Sequence, residues 1–553
     1  MQTPIDTSRE KKKNLIVLLI IISQLACVFF VSSRKQEFNI DEIYSYILAN
    51  SFHADKLSNA DDLWGQWADT EALSKYITVQ RGERFALGTV YKNNSTDCHP
   101  PVYYWLLHAL CSLTPDVFSK WSGLSLNILS LIVSLIFIYK TALILLGDSK
   151  LVYLPVLLYG FSPIAFETVT FIRMYMLLTM FAVILMYIHL GMFRFGITKH
   201  RMAAVWVILY LGSMTHYYFV VLGFWAIILF AIRNIREARK EVIKYAAGSL
   251  AAEALFVITY PYVIIQAMGS ETNNVGNEIM SNMFNWRLWI RQTAYLLKIQ
   301  EEVLSYSSIV SAVIAALIIC ITALVLARHV RNCDSEASPD VKDPNSCERR
   351  FYVWLAAVYC CTFLSITFIG GEYVFLRYIY YIGPALYILI SFIIERFCSI
   401  KPGALRYALL LSVIFAVLNA GYGILTDASP YVYRNEYKKD MLLETYHDES
   451  LIMMTSRNPA VPTGNLTKMQ LFKRIYMSDD ADVLGRNIAG GCLKENGECV
   501  IYINTDTYYT DGYDAAAVID TIKSDNSEMI LKAERLCEGS LGEYYLLSTQ
   551  TTS

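Results

Sequence analysis

The sequence is short of charge. Only 17% of its 553 residues are Asp, Glu, Lys or Arg, where a soluble domain carries about a quarter. A basic excess is missing too: 47 Lys and Arg against 49 Asp and Glu give a formal net charge of -2, which offers no footprint for a nucleic-acid partner. The twelve cysteines show neither metal-site spacing nor the density of a disulfide framework. Cys492 and Cys499 could close a small disulfide in an oxidising compartment, or stay an unpaired couple.

What the chain has instead is apolar length. Hydrophobic residues make up 55% of it, gathered in windows of roughly 16 to 25 nearly charge-free residues, long enough as helices to cross a hydrocarbon core. These windows lack the alternation of a membrane barrel, so they read as helices. The first, Asn14–Val31, follows Arg9, Lys11, Lys12 and Lys13 and has no small-residue cleavage site, so it reads as an anchor with a cytoplasmic N-terminus rather than a signal peptide. Further spans are expected over Trp121–Leu146, Leu151–Ala165, Ile172–Met192, Ala203–Ser213, Tyr217–Ile232, Ala246–Ile265, Ser307–Ala327, Phe351–Ile369, Val374–Ile394 and Tyr407–Leu425.

Lys and Arg collect in cytoplasmic loops. Arg194 to Arg201, Arg233 to Lys244, Arg328 to Arg350 and Arg396 to Arg406 mark four such loops. They place the segment 32–99, Arg173, His216, the Gly269–Glu302 loop, Glu372 and the C-terminal region outside. The segment Pro101–Leu113 upsets the parity: it is either juxtamembrane or re-entrant, or it spans and the Trp121–Leu146 run is split. An N-in, C-out chain needs an odd count, about eleven or else thirteen. The expected organisation is a cytoplasmic N-terminus (1–13), a multispan domain (14–425) that includes the outer loop 32–99, and an extracytoplasmic α/β domain (426–553). In the last, Cys499–Asn504 and Tyr544–Ser548 read as strands and Asp514–Ile522 as a helix.

Ionisable residues at the membrane surface demand a reason. Asp41 and Glu42, in NIDEIYSY, are a possible base or cation-binding pair; the plainer reading is a helix start capped by Asn39. His99 precedes two prolines that open a rigid helix near Tyr103. Arg173 enters an apolar hairpin beside Tyr175, either to pair with Glu167 or to bind a phosphate. His216 sits in a short turn beside Tyr217 and Tyr218, where an interfacial aromatic belt explains the tyrosines better than the histidine. Glu372 and Arg377 flank the outer end of another span, and there Arg377 either snorkels to the interface or grips an anion. Together these residues suggest one outer-face groove for a sugar and a lipid.

The order DEIYSY (41–46), HPPVYYWLLH (99–108), YGFSPIAFETVTFIRMYMLLT (159–179), THYYFVV (215–221) and RYIYYIGPAL (377–386) resembles bacterial multispan glycosyltransferases of the protein O-mannosyltransferase and aminoarabinose-transferase type, whose fold is called GT-C. The resemblance covers roughly residues 14–425. It implies a polyprenyl-phosphate sugar donor, transfer on the non-cytoplasmic face, usually with inversion, and residence in a bacterial cell membrane. It casts Asp41 as the essential first-loop acid with Glu42 completing the pair, His99 as a basic group near the donor, and Arg377 as a phosphate ligand. Arg173 and His216 are further donor-side candidates from their own positions. No cofactor is required; a divalent metal could assist, with Glu42 as ligand. The region after 428 does not resemble the β-trefoil inserts of the eukaryotic enzymes, so protein mannosylation is not implied. The acceptor is a glycan, a lipid or a protein. A transporter would show repeated halves and midplane charges, neither of which is evident, and a ligase of lipid-linked glycans would share the membrane setting.

Overall fold

The computed structural model describes residues 7–36, 38–52, 63–147, 149–268, 285–299, 305–306, 311, 316–322, 346–369, 375–426, 437–485, 492–493, 497–507 and 510–549. It divides into two compact units. The membrane unit comprises residues 1–33, 97–103 and 124–430, and the second unit residues 34–96, 104–123 and 431–553.

The chain is a polytopic α-helical membrane protein. Among the described residues, seven helices are long and apolar enough to cross a bilayer: Lys11–Ser33, Lys120–Leu146, Tyr175–Phe195, Arg239–Thr259, Cys347–Ile369, Leu376–Ile400 and Pro402–Tyr422. An eighth crossing is broken, with Lys150–Gly160 and Pro163–Thr170 bent by 49°. The expected count of eleven is not reached here, for physical reasons. Lys199–Ser213 and Tyr218–Asn234 are helices of 15 and 17 residues, at or below the length that spans without help. The expected Ser307–Ala327 span lies largely outside the described residues. Lys120–Leu146 is one unbroken helix, so the split alternative is removed. Val102–Cys111 has only ten residues, about 15 Å, and does not cross. Part of the expected Gly269–Glu302 loop is itself helical, Trp286–Ile299.

Breaks in the membrane unit are built from sequence. Ser162 caps the helix that restarts at Pro163, its hydroxyl accepting from the Ala165 N–H at 3.3 Å, and proline at the first helical position has no N–H to lose. Just before the break, Gln24 of the first span crosses at Gly160 and donates to the Val156 carbonyl at 2.8 Å. A Cβ at Gly160 would lie 2.3 Å from that glutamine side chain, so the crossing needs a glycine. At the next break, residues 171–174, Asn127 donates to Val169 O at 3.0 Å and to Phe171 O at 2.8 Å, and Phe171 O also accepts from the Arg173 N–H at 2.7 Å, so the buried backbone acceptors are satisfied.

The second unit holds a six-stranded sheet in the order β1-β3-β2-β4-β6-β5. Its strands are β1 Trp67–Asp69, β2 Ser450–Met454, β3 Arg474–Ser478, β4 Glu498–Asn504, β5 Leu531–Gly539 and β6 Gly542–Thr549. Strand β2 runs parallel to both β3 and β4, and the outer pairs are antiparallel. Every residue of β2 is buried, as expected of a strand covered on both faces. The expected strands are β4 and β6, and the expected helix is Ala515–Asp525 with Asp514 as its cap. β1 comes from the outer loop, which therefore folds in one unit with the C-terminal segment. Cys492 and Cys499 are free thiols in the same core cluster.

Candidate functional site

In the membrane unit four chain segments bring most of the expected residues together. The first is Asp97–His99. His99 Nδ1 lies 2.8 Å from Asp97 Oδ2, and its Nε2 lies 3.3 Å from Arg173 Nη2. A guanidinium only donates, so Nε2 accepts from Arg173 and Nδ1–H donates to Asp97. His99 is thereby a neutral link between a carboxylate and a guanidinium. The backbone around it is pinned twice: Tyr260 donates to the His99 carbonyl at 3.2 Å, and Val102 N–H donates to Met214 O at 3.1 Å. Burial alone would raise the Asp97 carboxyl, but the His99 hydrogen bond, the charge of Arg173 and the Cys98 N–H together hold it below the ordinary aspartate value.

Arg173 lies in the break between the Pro163–Thr170 and Tyr175–Phe195 helices, and is 5% exposed. Placing an arginine in a helix break frees it from a lipid-facing position. Glu167, its expected partner, accepts from the Tyr380 hydroxyl.

His216 occupies the turn between Lys199–Ser213 and Tyr218–Asn234, where its Nδ1 accepts from the Tyr218 N–H at 3.0 Å. Its ring packs 5.7 Å from both His99 and Tyr175. Burial first, then the nearby charge of Arg173, push its pKa well below the usual histidine value, so it is neutral near pH 7 and carries its proton on Nε2.

The fourth segment is the short helix Leu376–Ile382. Arg377 lies over the rings of Phe375, Phe171 and Tyr378 at 4.2, 5.7 and 5.7 Å. Tyr378 in turn packs on Tyr218 and Tyr175, and Phe171 stacks on Tyr175 at 5.9 Å. Tyr217 belongs to an outer ring of contacts: its hydroxyl donates to Gln266, which donates to Tyr260. Tyr103 is fully buried. Glu372 lies outside the described residues.

Asp41 and Glu42 belong to the second unit. They open the helix Ile40–Asn50, where the Asn39 side chain accepts from the Asp41 N–H at 2.9 Å and Glu42 accepts from the Asn39 N–H at 2.8 Å, a complete capping box. Glu42 also takes a 2.9 Å ion pair from Lys35, with both side chains fully buried. Burial lowers the lysine's pKa, and the charge and hydrogen bond of Glu42 offset part of that. Glu42 is thus committed to the fold, which weighs against the expected catalytic or metal-ligand role. Asp41, one residue earlier, is partly exposed.

Sequence reasoning missed Asp97 and Lys35. The spacing Asp97-x-His99 was a signal for the first; a lone lysine seven residues before an acid is none. Asp97, Cys98 and His99 also offer one carboxylate, one thiol and one imidazole within 4.8 Å of one another. They fit a divalent ion such as zinc in donor type, although an ion at Nδ1 would have to displace the Asp97 hydrogen bond. The three asparagines that open N-x-S/T tripeptides, Asn93, Asn94 and Asn465, are all buried.

Residues 98–262 match the family model described as dolichyl-phosphate-mannose-protein mannosyltransferase, well under half of the chain. No curated protein matches it. Among solved structures, ArnT from Cupriavidus metallidurans bound to undecaprenyl phosphate is similar at 11% identity with a TM-score of 0.52, over 96% of this chain and 97% of that one. The apo form of the same protein gives 13% identity and a TM-score of 0.48, over 97% and 98%. The archaeal oligosaccharyltransferase AglB from Archaeoglobus fulgidus, in complex with an inhibitory peptide and a dolichol-phosphate, gives 9% and 0.38, over 89% and 70%. The last two fall below a TM-score of 0.5 and carry no argument. The first is a likeness of fold: from end to end the chain folds like the membrane glycosyltransferase type that its motif order resembles.

Proposed function

We propose that the chain transfers a glycosyl residue from a polyprenyl-phosphate-linked sugar to an acceptor hydroxyl on the outer face of a bacterial cell membrane, with inversion. One observation carries this reading: His99, Arg173, His216 and Arg377, spread over 279 positions of sequence, gather with Tyr175, Tyr218 and Tyr378 in one partly buried cluster. Guanidiniums set among aromatic rings suit a phosphate that leaves as an anion from a partly dry site. The undecaprenyl phosphate bound to ArnT and the dolichyl-phosphate chemistry named in the matching family support the same donor class. An apolar cleft of about 220 Å³ in the membrane unit, lined by Leu158, Ile390, Phe397, Leu411 and Phe415 among others, suits an isoprenoid tail.

In the proposed step Asp41 takes the proton of the acceptor hydroxyl as its oxygen bonds to the anomeric carbon. The bond from that carbon to the phosphate oxygen breaks, and polyprenyl phosphate leaves with the electron pair. Arg173 and Arg377 stabilise the growing phosphate charge, and His216 donates from Nε2. His99 and Asp97 orient Arg173. No general acid is needed, because the leaving group is already a stable anion. Glu372 and Tyr103 remain proposed contributors to the substrate groove. The finer topology belongs to the same proposal: eleven spans, a cytoplasmic N-terminus and the C-terminal segment outside, with Lys199–Ser213 and Tyr218–Asn234 as two short crossings.

The test is mass spectrometry of purified protein incubated with a panel of polyprenyl-phosphate sugars and native membrane extract, comparing wild type with Asp41→Asn and Arg173→Gln. Free polyprenyl phosphate formed by wild type alone supports the reading and names the sugar. Consumption of no donor by folded protein removes it.

A further inference from the structure

The positively charged ends of two spans form a second site, unconnected with the transfer chemistry. The helices Tyr218–Asn234 and Ser346–Ile369 pack side by side. Between their ends lies a cleft of about 360 Å³ lined by Leu229, Ile232, Arg233, Arg349, Arg350, Val353, Trp354 and Ala357. Its floor is fixed, because Trp354 is buried and donates to the Ala226 carbonyl at 3.1 Å. Its apolar rim is open: Ile232 is 67% and Val353 66% exposed, a face that only lipid covers favourably.

Charge separates this cleft from an ordinary lipid-facing groove. Three guanidiniums line it, and one carboxylate, Glu237, answers two of them. It pairs with Arg350 at 2.9 Å and with Arg233 at 3.7 Å. Among the described residues no ion pair involves Arg349. The lining therefore presents an excess of positive charge directly above an apolar trough. Arginines at the cytoplasmic ends of spans are expected from the charge rule alone, but that rule asks for no cleft and no convergence of three on one volume. Two chemistries stacked at hydrocarbon depth and at headgroup depth describe one kind of ligand.

We infer that this cleft holds an anionic glycerophospholipid. The headgroup phosphate lies against Arg233, Arg349 and Arg350, and an acyl chain runs along Ile232, Val353 and Leu229. Basic pockets between spans recognise such headgroups at roughly a fivefold gain in binding per arginine. The site is independent of the proposed transfer activity and stands or falls without it.

Native mass spectrometry of the full-length protein in detergent tests this with added phosphatidylglycerol, phosphatidylcholine and undecaprenyl phosphate, and with inorganic phosphate as competitor. Wild type should retain phosphatidylglycerol over phosphatidylcholine, and inorganic phosphate should not displace it. Arg233→Gln with Arg349→Gln should weaken retention about 25-fold, while Arg236→Gln, outside the lining, leaves it unchanged. Glu237→Gln removes the carboxylate that pairs with Arg233 and Arg350 and should tighten retention severalfold, which protects the test if the double variant folds poorly. Equal retention of phosphatidylcholine, an equal loss in Arg236→Gln, or an unchanged Glu237→Gln would overturn the assignment. Undecaprenyl phosphate displacing phosphatidylglycerol at equal concentration would give the cleft to the isoprenoid lipid instead.

Discussion

Two charge groups in this protein are built in opposite ways. In the second unit, Lys35 and Glu42 face each other at 2.9 Å with no exposed surface on either, and the same carboxylate oxygen also accepts the capping Asn39 N–H. In the membrane unit, Asp97, His99 and Arg173 form a chain of three linked groups, with Asp97 and His99 partly exposed. A closed pair satisfies itself and specifies a local fold. A chain of three holds a guanidinium in place beside other polar groups, His216 among them. The difference separates Glu42 from the other residues that the sequence singled out, although the motif DE alone treats its two acids alike.

The largest effect that would sharpen this comparison is on Asp41, next to the closed pair but outside it. Asp41→Asn is expected to lower kcat by about 10²- to 10⁴-fold, the range for losing a general base, with donor binding unchanged in a filter or calorimetric assay. An equal loss of binding and turnover would take the base role away. In that chain, Arg173→Gln should cost about 10²- to 10³-fold in kcat, and Arg173→Lys should not restore it, because an ammonium lacks the planar fork. Turnover near wild type in Arg173→Gln would make the chain structural too.

Breaking the closed pair should be read in stability. Lys35→Met leaves a buried carboxylate without its counter-charge and should destabilise the protein by about 3–5 kcal/mol, seen in thermal unfolding. Lys35→Met with Glu42→Met should return most of it. If the single variant is silent, the pair is not holding the helix start.

The smallest effect is a pH slope. The folded state keeps His216 neutral, because its pKa is depressed by burial and by neighbouring positive charge. In the unfolded chain it binds a proton near pH 6.5. Stability should therefore fall as pH drops below about 6.5, by up to roughly 1.4 kcal/mol per unit for one group. His216→Gln should flatten that part of the profile.

Hydropathy made the long spans legible, because lipid demands apolar length and little else. It leaves the count open where the chain uses less: a 15-residue helix, a 17-residue helix, and a pair broken at Ser162. Period-two runs and an aspartate cap made β4, β6 and the Ala515–Asp525 helix readable. Strand β1 was not, since Trp67–Asp69 is three residues in a polar loop and its partner is some four hundred positions away. The same distance hid the contact of His99 with Arg173. Each residue carried a local reason for suspicion, and only the fold could say that the two reasons were one.

Strand β1 has a consequence for how the protein is made. Trp67–Asp69 pairs with Arg474–Tyr476, and the Thr70 hydroxyl donates to the Phe472 carbonyl across 402 positions. A ribosome emitting about 5–20 residues each second releases the outer loop well over ten seconds before its partner strand exists. During that interval the edge of the future sheet waits unpaired while the remaining spans are inserted. Completion of this sheet is therefore a report, delivered at the end of synthesis, that everything between its two edges has arrived.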